Sequence, residues 1–168
     1  MKMPEGKIDP MLFAPCGMNC LVCYKHCYHK KPCGGCRNSD KGKPEHCRKC
    51  RIKDCIGDKG LAYCYECPEH PCRLIKNLER SYKKRYQVSL VENSEFVGRY
   101  GLERFMEGQK EKYICPICGG VVSIHDGECS ECQEKVQGWE GGNRVRGFRP
   151  LDYSCGGKMV PREFWSRV

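Results

Sequence analysis

The sequence predicts a small metal-stapled α+β fold: a cysteine-rich multi-zinc module, short helices and a C-terminal zinc-ribbon hairpin. Three observations predict it. Cysteine takes 17 of the 168 positions, well above ordinary usage. Most of these cysteines sit in C-x-x-C pairs, the spacing that brings two sulfurs to one ion. Leu, Ile, Val and Phe together make up only roughly 18 % of the residues, a range in which apolar burial is expected to fall short of the entropy cost of folding. What the thiols bind is therefore expected to supply much of the folding free energy.

The start MKMPEGKIDPMLFAPCG has no apolar core of signal-peptide length, and no segment reaches transmembrane length. With an odd cysteine count, this points to metal in a reducing cytoplasm rather than to disulfides. The formal charge is +9, which by itself would suggest nucleic acid or an anionic surface. Sixteen thiolates on about four zinc ions would lower it to roughly +1, because metal-bound thiols are deprotonated. Global charge then argues for neither partner.

Four regions follow from the cysteine pattern. Residues 1–72 form a cysteine-rich multi-metal module, 73–112 a helical connector, 113–136 a zinc ribbon and 137–168 a Gly/Arg-rich tail. In the connector, Leu74, Leu78, Tyr82 and Tyr86 recur at i, i+4 with Ile75 beside them, which predicts an amphipathic helix ending near Tyr86. Asn93 and Ser94 are expected to cap a short helix through Tyr100, Gly101 to break it, and Leu102, Phe105 and Met106 to share one face of the next. The tail, with Arg144, Arg146 and Arg149 among its glycines and Trp139, Phe148 and Trp165 for partial order, reads as irregular.

The clearest metal signal is Cys115-Pro116-Ile117-Cys118-Gly119-Gly120 and, with ten residues between Cys118 and Cys129, Cys129-Ser130-Glu131-Cys132. Gly119 is expected to take the positive φ that such a turn favours, Val121 to Ile124 to form a strand, and Asp126-Gly127 a hairpin turn. Four thiolates fill a tetrahedron and leave no position for water, so this site is expected to be structural.

In the first block, Cys16, Cys20, Cys23, Cys27, Cys33, Cys36, Cys47, Cys50, Cys55, Cys64, Cys67 and Cys72 are candidate ligands. Twelve thiols fit three four-thiolate sites, and spacing leaves their pairing open. Cys33-x-x-Cys36 with Cys47-x-x-Cys50 repeats the ribbon spacing, while Cys47, Cys50 and Cys55 are echoed by Cys64, Cys67 and Cys72 at an offset of 17 residues. His26, His46 and His70 lie beside or between cysteines and are further candidates. The alternative cofactor is an iron–sulfur cluster, which would place electron transfer or redox chemistry in this block. Cys16-x-x-x-Cys20-x-x-Cys23 resembles the cluster motif of radical S-adenosylmethionine enzymes, but the cysteine-rich and helical segment after it leaves no room for their partial barrel.

Two further surfaces are candidates. Arg73, Lys76, Arg80, Lys83, Lys84 and Arg85 would neutralise phosphates on RNA or DNA while Tyr82 and Tyr86 stacked on bases, with Arg48, Lys49, Arg51 and Lys53 nearby. A solvated helix face carries lysine anyway, and Glu79 interrupts the patch. Cys155 is the one cysteine outside the paired sets and has no sequence-adjacent base to activate it. No nucleophile, base and orienting group recur at a catalytic spacing, so a non-catalytic adaptor with a protein partner is expected.

Cys16-Gly17, Cys20, Cys23, Cys33-Gly34-Gly35-Cys36-Arg37, Cys47, Cys50, Ile52, Cys55 and Cys64-Tyr65-Glu66-Cys67-Pro68-Glu69-His70-Pro71-Cys72 resemble the uncharacterised cysteine-rich family called domain of unknown function 3795. The resemblance covers about residues 14 to 78. The continuation Tyr100-Gly101-Leu102-Glu103-Arg104-Phe105, Gln109 and Tyr113 is similar to longer members. The resemblance implies metal binding and carries over no catalytic residue; Cys27 and the tail fall outside its pattern.

Overall fold

The computed structural model describes residues 1–28 and 30–136, and beyond them two short strands, β1 (Trp139–Glu140) and β2 (Asn143–Arg144), which pair antiparallel. Six α-helices are present among the described residues: α1 (Tyr24–Cys27), α2 (Glu45–Arg48), α3 (Arg51–Asp58), α4 (Arg73–Tyr86), α5 (Leu90–Tyr100) and α6 (Leu102–Tyr113). Three 3-10 turns, Pro10–Leu12, Cys20–Val22 and Cys64–Glu66, punctuate the cysteine-rich part. The chain is thus cysteine-rich and helix-rich with few strands. Cys155, Arg146, Arg149, Phe148, Trp165 and the glycines expected to shape the tail lie outside the described residues, as do the side chains of Trp139 and Arg144.

Local chemistry sets these elements. Asp9 Oδ1 accepts the Met11 N–H at 2.8 Å and starts the first 3-10 turn, and Asn19 Oδ1 accepts the Leu21 N–H at 3.0 Å and starts the second. The predicted helix of the connector spans Arg73–Tyr86 and stops where Gln87 enters the left-handed region at φ 50°. Gly101, at φ 89°, separates α5 from α6 as expected.

The start of α5 differs from expectation. It begins at Leu90, with Ser89 as its cap, so Asn93 and Ser94 lie inside the helix. Ser89 Oγ accepts the Glu92 N–H at 3.0 Å, while Glu79, from α4, accepts the N–H groups of Leu90 at 2.7 Å and Val91 at 3.2 Å. A carboxylate from another helix has taken the role assigned to a local residue.

Segment 121–124, expected as a strand, forms single bridges instead: Ile114 with Val121 and Val122 with Cys129. Its backbone donors explain this. The N–H of Val121 donates to Met1, that of Val122 to Tyr113, that of Ser123 to Glu128 and that of Ile124 to Val22, so four segments share what a ladder would give to one. Asp126-Gly127 does form the turn, with Gly127 at φ 64° and its N–H donating to Ser123 O at 2.9 Å.

The main core joins the 3-10 turns, α5, α6 and segment 121–124. Phe13, Leu21, Val22, Leu90, Tyr113 and Val121 are at most 1 % exposed. Phe13 meets the edge of Phe105 at 5.1 Å between ring centres, a contact worth up to about 1.5 kcal/mol beyond area burial. The composition had suggested too little apolar matter for such a core. Met3, Met18, Met106 and Tyr113, left out of that count, are buried in it. Two smaller clusters are built around cysteine: Cys115, Val122, Cys129 and Val136, and Ile56, Cys64 and Ile75.

Candidate metal centres

The most complete site is C-terminal. Cys115 lies just past the end of α6, and Cys118 follows it across a turn in which Gly119 N–H donates to Cys115 O at 2.9 Å and Cys115 N–H to Gly120 O at 2.7 Å. Gly119 has the expected positive φ, 73°. Gly120 is required for a different reason: a Cβ there would lie 2.6 Å from Cys129 Sγ and 2.7 Å from Glu131 Cβ. The second pair approaches over the 126–127 turn.

The sulfurs of Cys115, Cys118, Cys129 and Cys132 all lie within 4.8 Å of one another, close enough to hold one metal ion. Cys115 Sγ is 3.9 Å from Cys132 Sγ and Cys118 Sγ 3.5 Å from Cys129 Sγ. Four bonds of about 2.3 Å in a tetrahedron require sulfur separations of about 3.8 Å, so the sulfurs stand where one ion needs them. The backbone also prepares thiolates. Desolvation opposes ionisation of Cys118, but the Gly120 N–H and the neighbouring thiols outweigh it and draw Cys118 down to about 7. Burial pushes Cys129 up to about 12, so Cys118 is the readier of the two to lose its proton. Among the described residues, this is the one group of His, Cys, Asp and Glu whose ligand atoms gather so closely.

The first-block cysteines fall into neighbourhoods. Cys55 in α3, Cys64 and Cys67 around the third 3-10 turn, and Cys72 at the start of α4 line one cavity of about 30 Å³. Cys64, pushed up to about 12 by burial, also meets Cys72, Cys55 and Cys67 electrostatically. Cys20 and Cys36 are neighbours in titration: the Cys36 thiol pushes Cys20 up, and the Cys20 thiol and, against desolvation, Lys43 draw Cys36 down to about 7. Cys16, raised by burial, faces Cys36, Cys64 and Cys50. Cys47, pushed up to about 12 by burial, faces Cys36, Cys23, Cys33 and Cys50. Cys36 therefore sits beside Cys20 and Cys16 as well as the Cys47 pair that spacing alone suggested.

Cys27 stands apart. It is 4 % exposed inside the main core, and burial pushes its thiol up to about 12, with the charges of Cys23 and Asp126 adding to the rise. Of the candidate histidines, His26 Nδ1 is 2.6 Å from Cys33 O, and His70 lines the cavity of Cys55 and its neighbours.

Two positioning residues carried no signal in the spacing. Lys43 has a side chain only 1 % exposed; its Nζ donates to Cys36 O at 3.0 Å and Asn38 O at 2.6 Å and pairs with Asp40 at 3.0 Å, pinning the loop that holds Cys36. Lys59 Nζ lies 3.3 Å from Cys67 Sγ and 2.9 Å from Glu69. A lysine within a basic sequence is legible as a metal-site neighbour only once the fold brings it to a sulfur.

The basic face of α4 is exposed at Arg73, Lys76, Arg80, Lys83, Lys84 and Arg85. Tyr82 and Tyr86 are not on it. Both pack against the main core and meet His125, Tyr86 at 4.9 Å and Tyr82 at 6.4 Å between ring centres. The rings expected to stack on bases serve the interior.

Comparison with known proteins singles out the segment that contains the twelve N-terminal cysteines. Residues 12–77 match a family described as protein of unknown function (DUF3795). Over this segment the chain is similar to the DUF3795 family. The DUF3795 segment runs from the first 3-10 turn into α4 and stops short of the four C-terminal ligands, Cys115, Cys118, Cys129 and Cys132. No curated protein and no solved structure matches the chain.

Proposed function

We propose that the chain is a zinc-stapled binding module, cytoplasmic and non-catalytic, that presents its surface to a protein partner. The observation that carries this reading is the gathering of the Cys115, Cys118, Cys129 and Cys132 sulfurs within 4.8 Å. Four thiolates complete a tetrahedron, which suits structural zinc in a zinc ribbon and offers substrate no open position. The first-block cysteines supply ligands for about three more ions. Among the described residues, no helix is long and apolar enough to cross a membrane.

Elemental analysis with an absorption spectrum on protein purified without oxygen tests the reading. Zinc with no visible band and no response to dithionite is the expected result. Iron with acid-labile sulfide and a band near ~400 nm would replace it with the redox reading for the first block.

A further inference from the structure

We propose that Cys55, Cys64, Cys67 and Cys72 form a separate centre for one zinc ion, in the cavity between α3 and the start of α4, with Lys59 and His70 as positioning residues beside its sulfurs. The proposal rests on the zinc-stapled reading and deepens it by naming one ligand set among the twelve that sequence spacing left unpaired.

The cavity is the first argument. It is lined by these four cysteines and by none of the other eight of the block. Its remaining walls include Ile52, Ile56, Leu74 and Ile75. Four thiols facing a space that Lys59, Glu69 and His70 also line gain little from one another, whereas one ion satisfies all four at once. The backbone forms a knuckle there: Cys67 N–H donates to Cys64 O at 3.1 Å and His70 N–H to Cys67 O at 2.9 Å.

Two polar groups point to a charged occupant. A zinc ion with four thiolates carries a net −2, and Lys59 Nζ, 3.3 Å from Cys67 Sγ, offsets part of it. His70 also lines the cavity, and its Nε2 is buried with no hydrogen-bond partner among the described residues. A buried ring nitrogen without a partner is costly. A metal-bound sulfur gives it an acceptor, so Nε2–H donates to the site and does not ligate the ion. The sulfurs are less closely gathered than those of the C-terminal group, and the ion draws them onto bonds of about 2.3 Å.

The site would lock α3 to α4 through Cys55, within α3, and Cys72, which caps the start of α4.

Alkylation mapping by mass spectrometry on the full zinc-loaded chain tests this without substitution. Cys55, Cys67 and Cys72 are only half-buried, so protection of their thiols reports metal rather than packing. The expected result is that these three and Cys64 are protected with zinc bound and become reactive together when a chelator removes it. Cys55, Cys67 and Cys72 alkylating at the metal-free rate, while Cys115 and Cys132 stay protected, would overturn this site and leave the C-terminal reading standing. No zinc and no protection anywhere would overturn both.

Two variants sharpen the test. Cys55→Ser with Cys72→Ser is expected to bind one zinc fewer than the parent chain while Cys115, Cys118, Cys129 and Cys132 stay protected; an unchanged zinc count would overturn the site. His70→Ala is expected to keep the zinc count while its affinity, read by chelator competition, falls by about 10- to 100-fold, with His70→Gln restoring part of it. Loss of one whole zinc in His70→Ala would make His70 a ligand and overturn the four-thiolate assignment.

Discussion

The carboxylate of Glu79 in α4 accepts the backbone N–H of Leu90 at 2.7 Å and so caps the start of α5. The same carboxylate takes the Val91 N–H at 3.2 Å and the Ser89 hydroxyl at 2.5 Å. An acidic residue that interrupts a basic face in sequence is thereby the hinge pin between two helices.

Glu79→Ala should destabilise the chain by about 2 kcal/mol, because two helix-start donors and a hydroxyl lose a charged acceptor in a half-buried setting. Glu79→Gln should recover part of this. Chemical denaturation of both variants checks it; a change within about 0.5 kcal/mol for the alanine would show that water caps α5 equally well.

Gly17→Ala should be more damaging. Gly17 sits at φ 90°, and an added Cβ would lie 2.1 Å from Leu90 O, against fixed helix backbone. Separation of the second 3-10 turn from α5 follows, read as lost thermal stability and broadened side-chain signals. Gly120→Ala should act locally, weakening zinc binding at Cys129 through the 2.6 Å approach to its sulfur. Gly57→Ala, where nothing lies within 4 Å inside α3, is the control and should be neutral or slightly stabilising.

Acid should weaken the packing of α4 on segment 121–126 through His125. Burial holds His125 below its ordinary value of 6.5, with Arg85 adding and Asp126 opposing. Its Nδ1 accepts the Tyr24 N–H at 3.3 Å, which requires the neutral ring at that atom. The unfolded chain therefore takes up the proton first. His125 contributes stability that is present above the ordinary value and is lost as pH falls through it toward the lower folded value. His125→Gln should flatten the stability profile from the ordinary value of 6.5 downward. An identical profile in the variant would exclude this role.

Neutralising Lys83, Lys84 and Arg85 tests RNA or DNA as partner. Lys83 is already engaged with Glu79 at 3.2 Å and Glu92 at 3.3 Å, and the two tyrosines are turned inward. A weak, sequence-independent affinity is expected, falling with salt by an exponent of only a few phosphates and losing most of its slope in the triple variant. Tight binding that survives raised salt would restore nucleic acid as the principal partner.

The legible parts of this protein were those governed by neighbours in sequence. The α4 stripe, the Gly101 break and the Gly119 turn follow from periodicity and from the conformational demands of glycine, and the structure places them accordingly. The gathering of Cys115, Cys118, Cys129 and Cys132 follows from their spacing. The cap of α5 was not legible, because Glu79 reaches it across a helix junction. Nor was the scatter of the 121–124 donors, which depends on Met1, Val22, Tyr113 and Glu128 arriving at one place. First-block pairing stayed open in the sequence for the same reason: Cys20 neighbours Cys36 through tertiary packing, and Cys55 and Cys72 come to line one cavity only once the chain is folded.

Lys2 pairs in a β-bridge with Gly120, Met3 N–H donates to Gly119 O at 3.0 Å, and Lys2 Nζ reaches Cys118 O at 2.6 Å across 116 residues of chain. On the ribosome, Lys2 and Met3 gain these partners only once the turn at 115–120 has emerged from the exit tunnel. A nascent chain arrested before that turn would expose Met3 and its neighbours to chaperones and proteases.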